Sequence, residues 1–136
     1  MTTFVDTSAI FAYYDNDDEA HEVIAPLWAA LLAADAQLVT TNYVLLEAAA
    51  LLQRRLGMQW VQRLQTEVRR IVQIVWVDDE LHDLAVTATL AADRRHLSLV
   101  DHLSLEIMRR LGINYALACD EHFTERGYEL PPLPPT

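Results

Sequence analysis

Thr2-Thr3-Phe4-Val5-Asp6-Thr7-Ser8-Ala9-Ile10-Phe11-Ala12-Tyr13-Tyr14 opens the chain with a short apolar run that ends on an aspartate and leads into a second apolar run. Residues 2–6 suit a short buried strand. Asp6, Thr7 and Ser8 are helix-starting residues, because their side-chain oxygens accept the first free backbone N–H groups. The stretch therefore predicts a strand-to-helix turn that carries a carboxylate. The same ending recurs downstream, where Tyr115-Ala116-Leu117-Ala118-Cys119-Asp120 predicts another strand closing on aspartate.

The segments between these two runs alternate in the same way. A helix rich in Ala and Leu is expected from about residue 18 to 34, with Pro26 disturbing or dividing it. Leu38-Val39-Thr40 is a second strand, and Thr41-Asn42 caps a helix from Tyr43 to about Leu56 that Gly57 closes. A further amphipathic helix spans about Met58 to Arg70, and the β-branched run Ile71 to Val77 predicts a third strand. Helices follow from Asp79 to about Arg95 and from Ser98 to Leu111-Gly112. Tyr128-Glu129-Leu130 is a candidate edge strand, and the Pro-rich end, residues 131–136, should lie extended. Strands alternating with helices imply an α/β fold whose mostly parallel sheet is covered on both faces. Ligands of such sheets sit in the crevice beyond the C-terminal strand ends. If the strands ending on Asp6 and Asp120 are neighbours, both carboxylates face that crevice.

The 136 residues have the length of one domain, and 52% apolar content is enough for a substantial core. Neither a signal peptide nor a membrane span is expected, so a soluble, cytoplasmic protein is anticipated. Cys119 is the lone cysteine, which suits a reducing compartment, and reads as a small buried hydrophobe. All ten basic residues are arginines. The absence of lysine excludes a P-loop and Schiff-base chemistry, so any reaction must use carboxylates, histidines, hydroxyls or a bound ion. A net charge of −10 argues against binding nucleic acid through bulk positive charge. Divalent cations in an acidic cleft invert the local field, however, and the same acidity suits a basic polypeptide partner.

Four carboxylates stand out. Asp6 doubles as a helix cap, with Thr7 and Ser8 placed to hydrogen-bond it. Glu47 interrupts Tyr43-Val44-Leu45-Leu46 and Ala48-Ala49-Ala50-Leu51-Leu52. In such apolar surroundings a nearly buried glutamate is costly unless paired, protonated or bound to a cation. Asp101 stands three residues after Ser98, as in a capping box, where the helix dipole keeps it ionised. Asp120 ends its strand. Together these four suggest a hard oxygen-ligand site for Mg²⁺ or Mn²⁺. Asp15, Asp17 and Asp18 lack the glycine and distal glutamate of a calcium loop, and Asp78, Asp79 and Glu80 read as helix-start charges. No histidine pairs with another histidine or with the cysteine at zinc-ligand spacing.

Phe-Val-Asp-Thr-Ser-Ala near the N-terminus, Thr-Thr-Asn-Tyr-Val-Leu-Leu-Glu at 40–47, Ser-Leu-Val-Asp at 98–101 and Ala-Cys-Asp-Glu-His-Phe at 118–123 occur in this order. The pattern resembles the PIN-domain ribonucleases, specifically the VapC-type toxins of toxin–antitoxin pairs, over nearly the whole chain. The resemblance implies a single PIN domain over 1–136, with a sheet of four to five mostly parallel strands flanked by helices on both faces. It further implies a homodimer, an RNA substrate, and neutralisation by a basic antitoxin segment. The family's acidic positions fall on Asp6, Glu47, Asp101 and Asp120, with Ser8 as the small polar residue after the first.

The expected activity is hydrolysis of RNA phosphodiester bonds by a Mg²⁺- or Mn²⁺-dependent endoribonuclease. Thr7, Ser8 and Ser98 would support the ligands. A phosphatase using Asp6 as nucleophile is the weaker enzymatic alternative, since position 8 holds no second aspartate and lysine is absent. A non-catalytic acidic module that captures a basic partner is the alternative of a different class.

Overall fold

A computed structural model describes residues 1–132. β1 (Thr2–Val5) leads through Asp6 into α1 (Thr7–Tyr14), and α2 (His21–Ala33) returns the chain to β2 (Gln37–Thr41). α3 (Asn42–Arg55) is followed by α4 (Met58–Arg63), a π-helical turn at Leu64–Val68, α5 (Arg69–Ile71) and β3 (Gln73–Val75). α6 (Asp79–Ala92), α7 (Leu99–Leu111), β4 (Tyr115–Leu117) and α8 (Glu121–Glu125) complete the order. The four strands are all parallel, in the order β3-β2-β1-β4.

That order makes β1 and β4 neighbours, with Val5 opposite Leu117, and the Asp6 N–H donates to the Leu117 carbonyl at 3.0 Å. From β1 the chain moves one way to β2 and β3, then crosses back to place β4 on the other side. The crevice beyond β1 and β4 is thus the topological switch point, where open α/β sheets bind ligands. The central strands are buried on both faces, Thr3, Phe4, Val5, Thr40 and Thr41 all being inaccessible to solvent. Phe4, Ile10, Trp28, Leu31, Leu52, Leu64 and Leu117 fill the core beside them. The buried Thr40 hydroxyl donates to the Val5 carbonyl at 2.6 Å, tying β2 to the end of β1 just before Asp6.

Several local expectations change. α2 runs unbroken through Pro26, because the ring lies on the exposed side and its missing N–H removes only one bond of the ladder. The helix expected from Met58 to Arg70 is interrupted by the π turn, on which Leu64 and Val68 are both buried. β3 and β4 are three residues each, shorter than their apolar runs, since Trp76 and Asp120 already lie at the surface. Residues 128–130 supply a single parallel bridge, Tyr115 to Glu129, rather than a strand. Cys119 is exposed instead of buried, because β4 ends two residues earlier. Of the Pro-rich end, residues 133–136 lie outside the described residues.

Candidate active site

Asp6 caps α1, and its side chain is the most buried carboxylate of the four, only 2% of the residue being exposed. Its Oδ2 accepts the Ser8 hydroxyl at 2.6 Å and the Ser8 N–H at 3.2 Å. Burial pushes the Asp6 carboxyl up to about 6, opposed by the Ser8 hydrogen bonds and reinforced by the nearby charges of Asp120 and Asp101. Thr7, beside it, holds a buried hydroxyl with no hydrogen-bond partner among the described residues.

Asp101 is fixed by a capping box. Its Oδ2 accepts the Ser98 N–H at 2.9 Å and the Ser98 hydroxyl at 3.0 Å, while the Asp101 N–H donates back to Ser98 Oγ. Asp101 Oδ1 is left facing His122 Nε2 at 3.1 Å. Asp120 occupies the position preceding α8 but makes no capping bond, so its carboxylate is uncommitted.

Asp6, Thr7, Ser8, Glu47, Ala50, Leu51, Arg54 and Asp120 line one open crevice. Asp101 approaches from α7, within 4.8 Å of Asp120 and His122 when one ligand atom is taken from each. Three of the four expected carboxylates therefore share a cavity, and the fourth adjoins it through Asp120. The expectation of a nearly buried Glu47 is corrected: the residue is half-buried on the crevice wall, between the exposed Leu46 and Ala50. α3 is apolar on its outer face as well as its inner one, so the apolar run around Glu47 did not signify burial. Asp6, rather than Glu47, is the carboxylate whose charged form burial penalises.

Sequence reasoning missed His122 and Arg54. His122 stands two residues after Asp120 on the first turn of α8, a mixed Asp/His spacing that a search for His–His or His–Cys pairs passes over. Arg54 lies seven residues after Glu47, two helical turns on, which brings both to the same wall of the crevice. The donor set is suited to a divalent cation: the Asp6 and Asp101 carboxylates are each oriented through Oδ2, and both Asp6 Oδ1 and Asp120 are free of protein hydrogen bonds among the described residues.

A parallel α/β sheet with acidic side chains gathered at its switch point defines a PIN-type nuclease scaffold, and the chain belongs to the PIN domain family, whose profile matches residues 3–127. It is similar to the 23S rRNA-specific endonuclease VapC20 of Mycobacterium tuberculosis, from strains CDC 1551 / Oshkosh and H37Rv. Each is 32% identical over 126 residues, covering 92% of this chain and 94% of the relative. The crystal structure of M. tuberculosis VapC20, described as a sarcin–ricin loop cleaving toxin, superposes with a TM-score of 0.82 at 30% identity, covering 94% of this chain and 96% of that one. The likeness to VapC-type endoribonuclease toxins thus extends over nearly the full length of both molecules. Among the described residues no helix is long and apolar enough to cross a membrane.

Proposed function

We propose that this chain is a divalent-metal-dependent endoribonuclease of the VapC type, with Asp6, Glu47, Asp101 and Asp120 holding Mg²⁺ or Mn²⁺ and 23S ribosomal RNA as the substrate. The observation that carries the reading is the shared crevice of Asp6, Glu47 and Asp120 at the switch point, with Asp101 beside it. A buried Asp6 carboxylate flanked by two further carboxylates is unfavourable alone and favourable around a cation. The substrate is taken from the relatives, whose names specify 23S rRNA and the sarcin–ricin loop.

A divalent ion held by Asp6, Glu47, Asp101 and Asp120 would supply the Lewis-acid chemistry that phosphodiester hydrolysis needs. The chain's own residues prepare the site. Ser8 and Ser98 each fix one oxygen of a carboxylate and leave the other for coordination. Arg54, on the wall beside Glu47, is positioned to take a phosphate oxygen of the RNA and to offset the acidity of the crevice. Asp6 must be ionised to serve as a ligand, so protons compete with the ion at this carboxylate and divalent binding weakens as pH falls.

The same reading includes a homodimer and a basic antitoxin segment that lies over the acidic crevice. The net charge of −10 favours such a basic partner. On α6 only Ala85 is fully buried while Leu84 and Leu90 are exposed, which leaves apolar surface for a second copy. Light scattering tests the dimer, and co-purification with the product of an adjacent reading frame ending in a basic tail tests the antitoxin.

The activity itself is tested by mapping RNA ends after brief expression, beside an Asp6→Asn control. A dominant new end within 23S rRNA, absent from the control, is expected. Identical end maps from both proteins contradict the reading, and a protein that binds a basic partner but neither Mn²⁺ nor RNA returns the non-catalytic module.

A further inference from the structure

We propose that His122 completes a mixed nitrogen–oxygen metal subsite with Asp101 and Asp120, and that this subsite takes a transition ion such as Mn²⁺ in preference to Mg²⁺. The inference rests on the metal-dependent reading above and specifies which residues choose the ion.

His122 Nε2 is buried and has no hydrogen-bond partner among the described residues. It stands 3.1 Å from Asp101 Oδ1, an ion-pair distance, without a hydrogen bond between them. A buried imidazole nitrogen that faces a carboxylate oxygen without a hydrogen bond is costly, and a cation held between the two relieves that cost. The two carboxylates complement it. Asp101 has Oδ2 engaged by Ser98 and Oδ1 turned to His122, and Asp120 makes no cap bond.

The three ligand atoms lie within 4.8 Å of one another. Donors about 2.1 Å from one ion lie at most ~4.2 Å apart, so a movement of under about one ångström closes the set. Asp120 can supply it, being exposed on a short turn.

The nitrogen decides the selectivity. Mg²⁺ takes oxygen ligands in a strict octahedron and keeps its waters, whereas imidazole is a better ligand for first-row transition ions, more strongly for Fe²⁺ and Zn²⁺ than for Mn²⁺. A purely carboxylate site discriminates less between the two, and among the described residues His122 alone adds nitrogen to this cluster.

The experiment is pulsed electron paramagnetic resonance of Mn²⁺ bound to the full chain, with calorimetric titrations of Mn²⁺ and Mg²⁺ into wild type, His122→Gln and His122→Ala. Nitrogen modulation on wild-type Mn²⁺, lost in both variants, is expected. Mn²⁺ affinity should fall roughly 10-fold or more, with Mg²⁺ affinity changing by less than about 2-fold. The wild-type spectrum requires no variant to fold. Absence of nitrogen modulation in wild type, or an unchanged Mn²⁺-to-Mg²⁺ ratio in the variants, overturns the subsite. RNA cleavage by wild type with Mn²⁺ but no nitrogen signal sinks the subsite alone. A nitrogen signal without any RNA cleavage upholds the subsite and sinks the nuclease reading.

Discussion

The Ser8 hydroxyl donates to Asp6 Oδ2 at 2.6 Å and accepts the Cys119 backbone N–H at 2.9 Å. One small side chain thereby orients the carboxylate after β1 and anchors the loop that delivers Asp120 after β4. The short hydrogen bond also favours the ionised form of Asp6, opposing the effect of burial. Ser8→Ala should therefore shift the acid limb of the pH–rate profile upward and weaken divalent binding by roughly 10-fold. A profile that moves to lower pH, or does not move, contradicts the role given to Ser8.

Asp6→Asn should stabilise the metal-free protein at neutral pH while removing activity. The folded-state value of Asp6 is raised from 3.8 to about 6, so its favourable contribution is fully present below 3.8 and is lost as pH rises through about 6. A rise of that size corresponds to ~3 kcal/mol at most. Urea unfolding in EDTA should show the variant and wild type nearly equal at pH 4 and the variant more stable at pH 8. Equal stabilities at both pH values would mean that the Asp6 carboxylate is not strained by burial.

Ser98 holds Asp101 in a capping box that also starts α7. Ser98→Ala should cost about 1 kcal/mol of stability as a lost cap. It should also weaken divalent binding by about 10-fold, because Asp101 is freed to rotate. Thermal unfolding with and without Mn²⁺ separates the two effects: a purely structural cap lowers both midpoints equally, whereas the double role reduces the Mn²⁺-induced rise as well.

Arg54 lines the crevice and makes no ion pair among the described residues. Arg54→Gln should raise KM for RNA several-fold with a smaller effect on kcat, and should lower the slope of log affinity against log salt by about one. An unchanged salt slope places Arg54 outside the RNA path.

The strand-to-helix turn at Asp6 and the capping box at Ser98 and Asp101 were legible in the sequence because each is a local signal, written in adjacent residues of known capping chemistry. The adjacency of β1 and β4, which gathers Asp6 and Asp120, depends on strand order and was only conditional until the sheet was seen. Glu47 was misjudged as nearly buried because composition does not say which side of an apolar helix meets solvent, and the outer face of α3 is also apolar. His122 escaped for a related reason. Its partner Asp101 is remote in sequence and comes from a different helix, so their 3.1 Å approach is a product of tertiary packing. Pro26 illustrates the converse, a strong local signal overridden once the rest of α2 is packed into the core through Ile24, Leu27, Trp28 and Leu31.

The most direct measurement of the central assignment is single-turnover cleavage of an end-labelled 23S rRNA fragment containing the sarcin–ricin loop. It compares wild type, Asp6→Asn and Asp101→Asn, each with Mn²⁺, with Mg²⁺ and in excess EDTA, with folding checked by circular dichroism. Cleavage by wild type with a divalent ion, abolished in EDTA and reduced at least about 100-fold in both folded variants, is the expected result. Cleavage that persists in EDTA, or that survives both substitutions, contradicts the assignment of the carboxylate crevice as a metal-dependent nuclease site.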